Sequence, residues 1–278
     1  MNRTKADSAD KQVAAGQSAA PPAPDVLTRI EPASIAADSH RGLVRRNNED
    51  SFFYALNPDG SRLIAAVADG IGGNENGEIA SSLVCKMLLM RWRALLASGG
   101  PATSRDAAAF LKRSILAINS DLFKINDSGA PSKPMGTTLA VMMAGEDWMV
   151  SAHCGDSRLY RLREGNLALL TNDHSLVNEM IRNGELTEED AKNHPYAHVI
   201  TRSVGPMKNP DPEISIRDRL PGDRYLLCSD GLTLHVGEDQ LRRVLLDAFE
   251  PSQVVKKLMR LVLQSGARDN TTIVSVFA

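Results

Sequence analysis

The sequence is poor in cysteine. Its three, Cys85, Cys154 and Cys228, are odd in number, carry no CxxC spacing and sit inside apolar segments. That pattern excludes a disulfide framework and points to small hydrophobes in a reducing compartment. Charge of one sign is equally scarce: the formal net charge is -2 and no long Lys/Arg run occurs. Neither nucleic acid nor an anionic membrane is therefore expected as the main partner. No apolar stretch follows Met1-Asn2-Arg3-Thr4-Lys5-Ala6-Asp7, and the most apolar helical segment is interrupted by Lys86, Arg91 and Arg93. Neither a secretory leader nor a membrane span is expected. His40, His153, His174, His194, His198 and His235 show none of the paired spacings that zinc sites use. No internal repeat is visible.

What is present is a chain of 278 residues with an apolar fraction of 42%, ample for a substantial core. Residues 1–26 are rich in Ala, Ser, Gln, Pro and charge; they read as a disordered arm that cannot bury enough apolar surface to offset ordering entropy. Residues 27–278 read as one domain. A strand through Ile35, Asp50 to Ala55 and Leu63 to Ala68 read as a meander. Two helices follow, Glu75 to Ala97 and Arg105 to Asn126, with apolar residues at helical spacing and a Gly99-Gly100-Pro101 stop between them. Strands return over Thr137 to Ala144, Trp148 to Cys154, Arg158 to Arg163 and Leu167 to Leu170. An insertion from about His174 to His198 breaks the pattern, with a helical piece at Leu176 to Ile181. Ile214 to Ile216, Tyr225 to Cys228 and Thr272 to Phe277 complete the strands around a second helical pair, Glu238 to Phe249 and Pro251 to Gln264. The order predicts an α+β fold, a two-sheet antiparallel sandwich with helices outside.

The stretch Val67-Ala68-Asp69-Gly70-Ile71-Gly72-Gly73 ends an apolar strand in a carboxylate and glycines. Alone it reads more readily as a plain hairpin turn than as a ligand site. The same form recurs, however, at Gly155-Asp156, Asp230-Gly231 and Arg268-Asp269-Asn270, with Glu49-Asp50 as a fifth acidic position. One acid beside a turn is an ordinary cap. Five at strand ends make a set of hard oxygen ligands, suited to a binuclear divalent-cation site.

Resemblance supplies what spacing cannot. Residues Asp38 to Asp50, VADGIGG, Met135-Gly136-Thr137-Thr138-Leu139, Cys154-Gly155-Asp156-Ser157-Arg158, Asp173-His174-Ser175-Leu176, Cys228-Ser229-Asp230-Gly231-Leu232 and Arg268-Asp269-Asn270-Thr271-Thr272 resemble, in order, the motifs of bacterial metal-dependent protein phosphatases of the type 2C (PPM) family. The resemblance covers about Ile30 to Phe277. It implies a four-layer αββα sandwich, two central antiparallel sheets flanked by antiparallel helix pairs, with Mn²⁺ or Mg²⁺ at one end of the sheets.

Carried over by motif, Asp69 would bridge two metals, Asp230 and Asp269 would complete one shell, and Glu49 with the Gly70 carbonyl would serve the other. Asp156 with Asp230 matches a third metal position. Arg45, whose planar fork can grip two oxygens, would hold the substrate phosphate. The implied reaction is hydrolysis of phosphoserine or phosphothreonine in proteins by a metal-activated water, reversing a bacterial Ser/Thr kinase. Eukaryotic relatives often carry His where this chain has Ile71, which leaves the general acid open. His153, His174 and His194 read as structural. Residues 178–198 resemble the flap over the site in bacterial members. The expected protein is a cytoplasmic monomer acting on phosphoproteins. A catalytically silent phosphoprotein-binding relative is the alternative, disfavoured by the complete ligand set; a two-metal phosphodiesterase is weaker, for want of a basic surface.

Overall fold

The computed structural model describes residues 34–72, 75–129, 134–191 and 194–278. The arm expected over residues 1–26 lies outside them, as does Gly73. Strands β1 (Ile35–His40), β2 (Asp50–Leu56) and β3 (Leu63–Ile71) lead into helices α1 (Glu75–Ala97) and α2 (Ser104–Asp127). Then come β4 (Gly136–Thr137), β5 (Leu139–Ala144), β6 (Trp148–Cys154), β7 (Arg158–Arg163) and β8 (Asn166–Leu169). Helices α3 (Leu176–Arg182) and α4 (Glu188–Ala191) fill the insertion, followed by β9 (Glu213–Asp218), β10 (Arg224–Cys228), α5 (Asp230–Thr233), α6 (Glu238–Asp247), α7 (Pro251–Gln264) and β11 (Thr271–Phe277).

The strands form two antiparallel sheets, ordered β1-β11-β10-β7-β8 and β2-β3-β5-β6-β9, with β4 paired to the end of β3. Helices α1 and α2 cover the β3 sheet, and α6 and α7 cover the β11 sheet. The expected four-layer α+β sandwich is what the chain forms. Its central strands are apolar on both faces, because each face is buried. In β3, Leu63, Ala65 and Val67 pack between the sheets against Tyr225, Leu227, Val274 and Val276, while Ile64, Ala66 and Ala68 pack under α1 and α2 with Trp92, Leu111 and Ile118. Truncating a fully buried residue such as Leu63 to Ala costs about 2–5 kcal/mol in sites of this kind.

The helices start where the sequence signals them. At α2, Thr103 accepts from the Asp106 amide at 3.2 Å and Asp106 accepts from the Thr103 amide at 2.9 Å, a reciprocal cap. At α7, Pro251 opens the helix and Val254, Val255, Leu258, Met259 and Val262 face the core.

Three features depart from the sequence expectation. Strand β1 begins at Ile35 and runs on to His40, because its pairing with β11 holds polar Asp38 and Ser39 in a strand at the sheet edge. The strand expected over Thr137 to Ala144 breaks at Thr138, whose amide and hydroxyl both turn to Asp69. The run from β5 to β8, read only as successive antiparallel strands, also changes sheet: β6 lies in one sheet and β7 in the other. The crossing is made at Gly155, at φ +101°, where a Cβ would sit 2.7 Å from the Thr138 Cβ. Only glycine fits that backbone and that space.

Candidate active site

Asp69 sits where the buried part of β3 gives way to the sheet end. Its backbone is fully engaged: its amide donates to Thr138 Oγ1 at 2.9 Å, and its carbonyl accepts from the Thr138 amide and the Thr137 hydroxyl, both at 2.8 Å. With the main chain fixed, only the carboxyl is left to act. The β2–β3 register sets Asp50 opposite Asp69, and the Gly70 amide donates to the Glu49 carbonyl at 3.2 Å. Asp230 opens α5 directly after β10, Asp269 stands just before β11, and Asp156 occupies the sheet-crossing turn after β6. Five separate chain segments thus end at one rim of the sandwich.

Arg45, Glu49, Asp69, Gly70, Asp156, Asp230 and Asp269 line a single cavity of about 160 Å³, together with His198, Ile200 and Asn270. Of the five acidic positions and Arg45 singled out in the sequence, each brings a residue there, Asp50 alone standing outside the lining. Asp50 is buried beneath: its Oδ2 accepts from the Ser229 hydroxyl at 2.8 Å, a bond that ties the two sheets together.

The cavity carries more negative charge than its own groups can balance. Desolvation raises Asp69 well above its ordinary value, and the nearby carboxyls of Asp50, Asp230 and Asp156 raise it further. Asp156 is pushed up to about 7, by desolvation first and by Asp230 second. Asp230 rises for the same reason, with Asp269 adding to it and a hydrogen bond from Asp69 opposing it. Glu49 is raised by desolvation, which Arg45 partly offsets. Arg45 Nη2 donates to Asp269 Oδ2 at 2.7 Å. Half-buried carboxyls held this close are costly unless a cation joins them. The donor set is all oxygen and still open to the cavity, and it fits hard divalent ions.

Gly70 and Gly77, packed against each other, make room for it. A Cβ at Gly77, in the first turn of α1, would lie 2.6 Å from Glu49 Oε2 and 2.9 Å from the Gly70 carbonyl carbon. Gly77 was invisible to sequence reasoning because its neighbour is met only across the fold. Asn270 was quoted in a motif without a role, yet its Oδ1 accepts from the Glu49 amide at 2.9 Å and its Nδ2 donates to the carbonyls of Arg41 and Asn47 at 2.8 and 2.9 Å. It holds the arginine-bearing loop against the start of β11. His198 was not singled out either, and it lines the cavity.

His153, His174 and Glu213 form a second cluster, with ligand atoms within 4.8 Å of one another. The two rings stack with centroids 4.6 Å apart. His174 Nδ1 accepts from the Gly155 amide at 3.3 Å, which puts the ring proton on Nε2 and leaves that atom no lone pair for a metal. Burial lowers His174 to about 4, so the neutral ring is the state that holds the Gly155 turn. His194 lies apart, against Tyr196.

Residues 39–272 match the family model described as Protein phosphatase 2C. The chain belongs to the protein phosphatase 2C family. It is 33% identical over 236 residues to the serine/threonine phosphatase stp of Listeria monocytogenes serotype 4b, spanning 85% of this chain and 92% of the relative. It is 37% identical over 239 residues to the serine/threonine protein phosphatase PstP of Mycobacterium tuberculosis, spanning 86% of this chain and 44% of that longer protein. The crystal structure of the PstP catalytic domain in complex with two manganese ions superposes with a TM-score of 0.73 at 34% identity, covering 87% of this chain and 96% of that one. The αββα sandwich is thus that of a type 2C domain. No helix among its described residues is long and apolar enough to cross a membrane.

Proposed function

We propose that this type 2C chain hydrolyses phosphoserine and phosphothreonine in proteins, using Mn²⁺ or Mg²⁺. The convergence of Glu49, Asp69, Gly70, Asp156, Asp230 and Asp269 on one cavity beside Arg45 carries the reading. Membership of a family whose relatives are named serine/threonine phosphatases, one of them solved with two manganese ions, supports it.

In this reading Asp69, Asp230, Asp269, Glu49 and the Gly70 carbonyl would hold two ions, with Asp69 able to serve both. Asp156 with Asp230 offers a third position. Bound there, the ions supply a water acidified to near neutrality and neutralise charge on the phosphoryl oxygens. The chain does the rest. Arg45, with its side chain 54% exposed, reaches outward to grip two phosphate oxygens and orients the phosphoryl group. Thr137 and Thr138 fix the Asp69 main chain and so the point from which its carboxyl reaches into the cavity. Asn270 positions Glu49 and the Arg45 loop together. Ile71 has no proton to give, so the leaving serine or threonine oxygen takes its proton from another group at the cavity.

The physiological partners in this proposal are phosphoproteins made by a Ser/Thr kinase. The seven groups come from one chain, and action as a monomer is part of the proposal. Three free, buried cysteines support a reducing, cytoplasmic setting. The residues around 178–198, with α3 beginning two residues earlier at Leu176, are assigned as a flap beside the site. A phosphothreonine-peptide and aryl-phosphate assay with Mn²⁺, with EDTA, and with Asp69→Asn or Asp230→Asn tests the proposal. Activity should require the metal and both acids.

A further inference from the structure

A second cavity of about 320 Å³ adjoins the first, and the two share Asp156, His198 and Asp230 as a common wall. Its other walls come from α3, α4 and the end of α5. That volume is at the lower limit of small-molecule sites and suits one large side chain.

The polar groups at its base are already spoken for. Arg158 donates from Nε to Asp173 Oδ1 at 3.0 Å, from Nη2 to Asp173 Oδ2 at 2.6 Å, and from Nη1 to the Tyr160 hydroxyl at 3.0 Å. Asn178 Nδ2 donates to the Asp173 carbonyl at 2.6 Å, and Ser175 Oγ caps α3 through the Asn178 amide. A polar occupant would have to break this network to gain a partner, and would lose as much as it gained. Away from Glu188 and the wall shared with the first cavity, what the cavity offers is apolar: Val177, Ile181, Ala191, Ala197 and Leu234 line it, and Leu234 is 48% exposed. Asp156, Asp230 and Glu188 around the opening disfavour an acidic side chain.

We propose that this second cavity is a side-chain subsite that takes a large apolar residue, such as Leu, Met or Phe, from the peptide flanking the phosphorylated Ser or Thr. The inference rests on the phosphatase reading and adds to it a substrate class. Continuity decides the occupant, because a peptide whose phosphate meets Arg45 and the acids of the first cavity has its neighbouring side chains at the shared wall.

The test uses the full chain loaded with Mn²⁺ and phosphothreonine peptides that differ only by Leu, Ala or Glu at each flanking position. At one position kcat/KM should favour Leu over Ala on the order of tenfold, with Glu below Ala. Ile181→Ser, which removes the apolar wall, and Ala191→Leu, which fills the cavity, should each bring the Leu-to-Ala ratio close to one. The ratio is taken within each variant, so a general loss of activity does not mimic the effect. Should one variant fail to fold, the other reports from a different wall. Equal kcat/KM for Leu, Ala and Glu peptides at every position in the wild type would overturn the subsite, and so would a preference that survives both substitutions. Aryl phosphate with Mn²⁺ is the control: if neither it nor any peptide is hydrolysed, the phosphatase reading itself has failed, whereas turnover without side-chain preference sinks the subsite alone.

Discussion

Arg45 Nη2 and Asp269 Oδ2 are paired at 2.7 Å, so the group assigned to the substrate phosphate and a group assigned to a cation are each other's partner. Both are at least partly exposed, and such a pair is worth little by itself. It serves instead to hold the guanidinium at the cavity mouth, poised to exchange one anion for another.

Arg45→Ala should therefore act on substrate binding. Removing charge-assisted hydrogen bonds to a phosphate costs about 1.5–3 kcal/mol, roughly a 10- to 150-fold fall in kcat/KM, carried mainly by KM. Arg45→Lys should recover part of the loss, since it keeps the charge and not the fork. Steady-state kinetics on a phosphothreonine peptide measure both.

Gly77→Ala adds one methyl group against Glu49 Oε2 and the Gly70 carbonyl carbon. The fold should survive, because the strain falls at the rim and not in the core. Mn²⁺ affinity should weaken on the order of 10- to 100-fold, as it does when the groups that support metal ligands are displaced. Isothermal titration with Mn²⁺, beside a thermal melt, separates the two effects.

The acid cluster predicts a pH dependence of stability in EDTA. The folded Asp156 carboxyl titrates at about 7, above its ordinary 3.8. Its stabilising contribution is whole below pH 3.8 and is lost as pH rises through 7, because the folded state binds the proton more tightly than the unfolded one. Asp156→Asn carries no such charge. Relative to this variant the wild type should lose stability between about pH 4 and 7, by at most about 4 kcal/mol. Saturating Mn²⁺ should shrink or reverse the difference. Denaturant melts of both proteins across that range measure it.

How much was legible in the sequence follows from how local each signal is. Asp69 could be read directly, since an apolar run, a carboxylate and glycine are consecutive, and the recurrence at Asp156, Asp230 and Asp269 suggested a shared cation. Their convergence could not be read from spacing: it depends on β6 and β7 lying in different sheets and on the register that sets Asp50 beside Asp69. Glu49 could be read as part of the acidic recurrence, whereas Arg45 came only through resemblance, because a loop arginine carries no periodic signal. The helices were legible from caps and apolar spacing. Gly77, Asn270 and His198 escaped because each acts on a partner far away in the chain, and no pattern within a few residues marks such a contact. Strand β1 was misplaced for a similar reason, since pairing with β11 and not its own side chains makes Asp38 and Ser39 part of a strand.

Metal dependence through Asp69 is the central claim, and a single titration tests it most directly. Metal-stripped wild type and Asp69→Asn are titrated with Mn²⁺ while binding heat and phosphothreonine-peptide hydrolysis are followed together. The wild type should bind at least two ions and turn over only once they are bound, and Asp69→Asn should lose both the tight binding and the turnover. Hydrolysis that persists in EDTA and in Asp69→Asn would contradict the account.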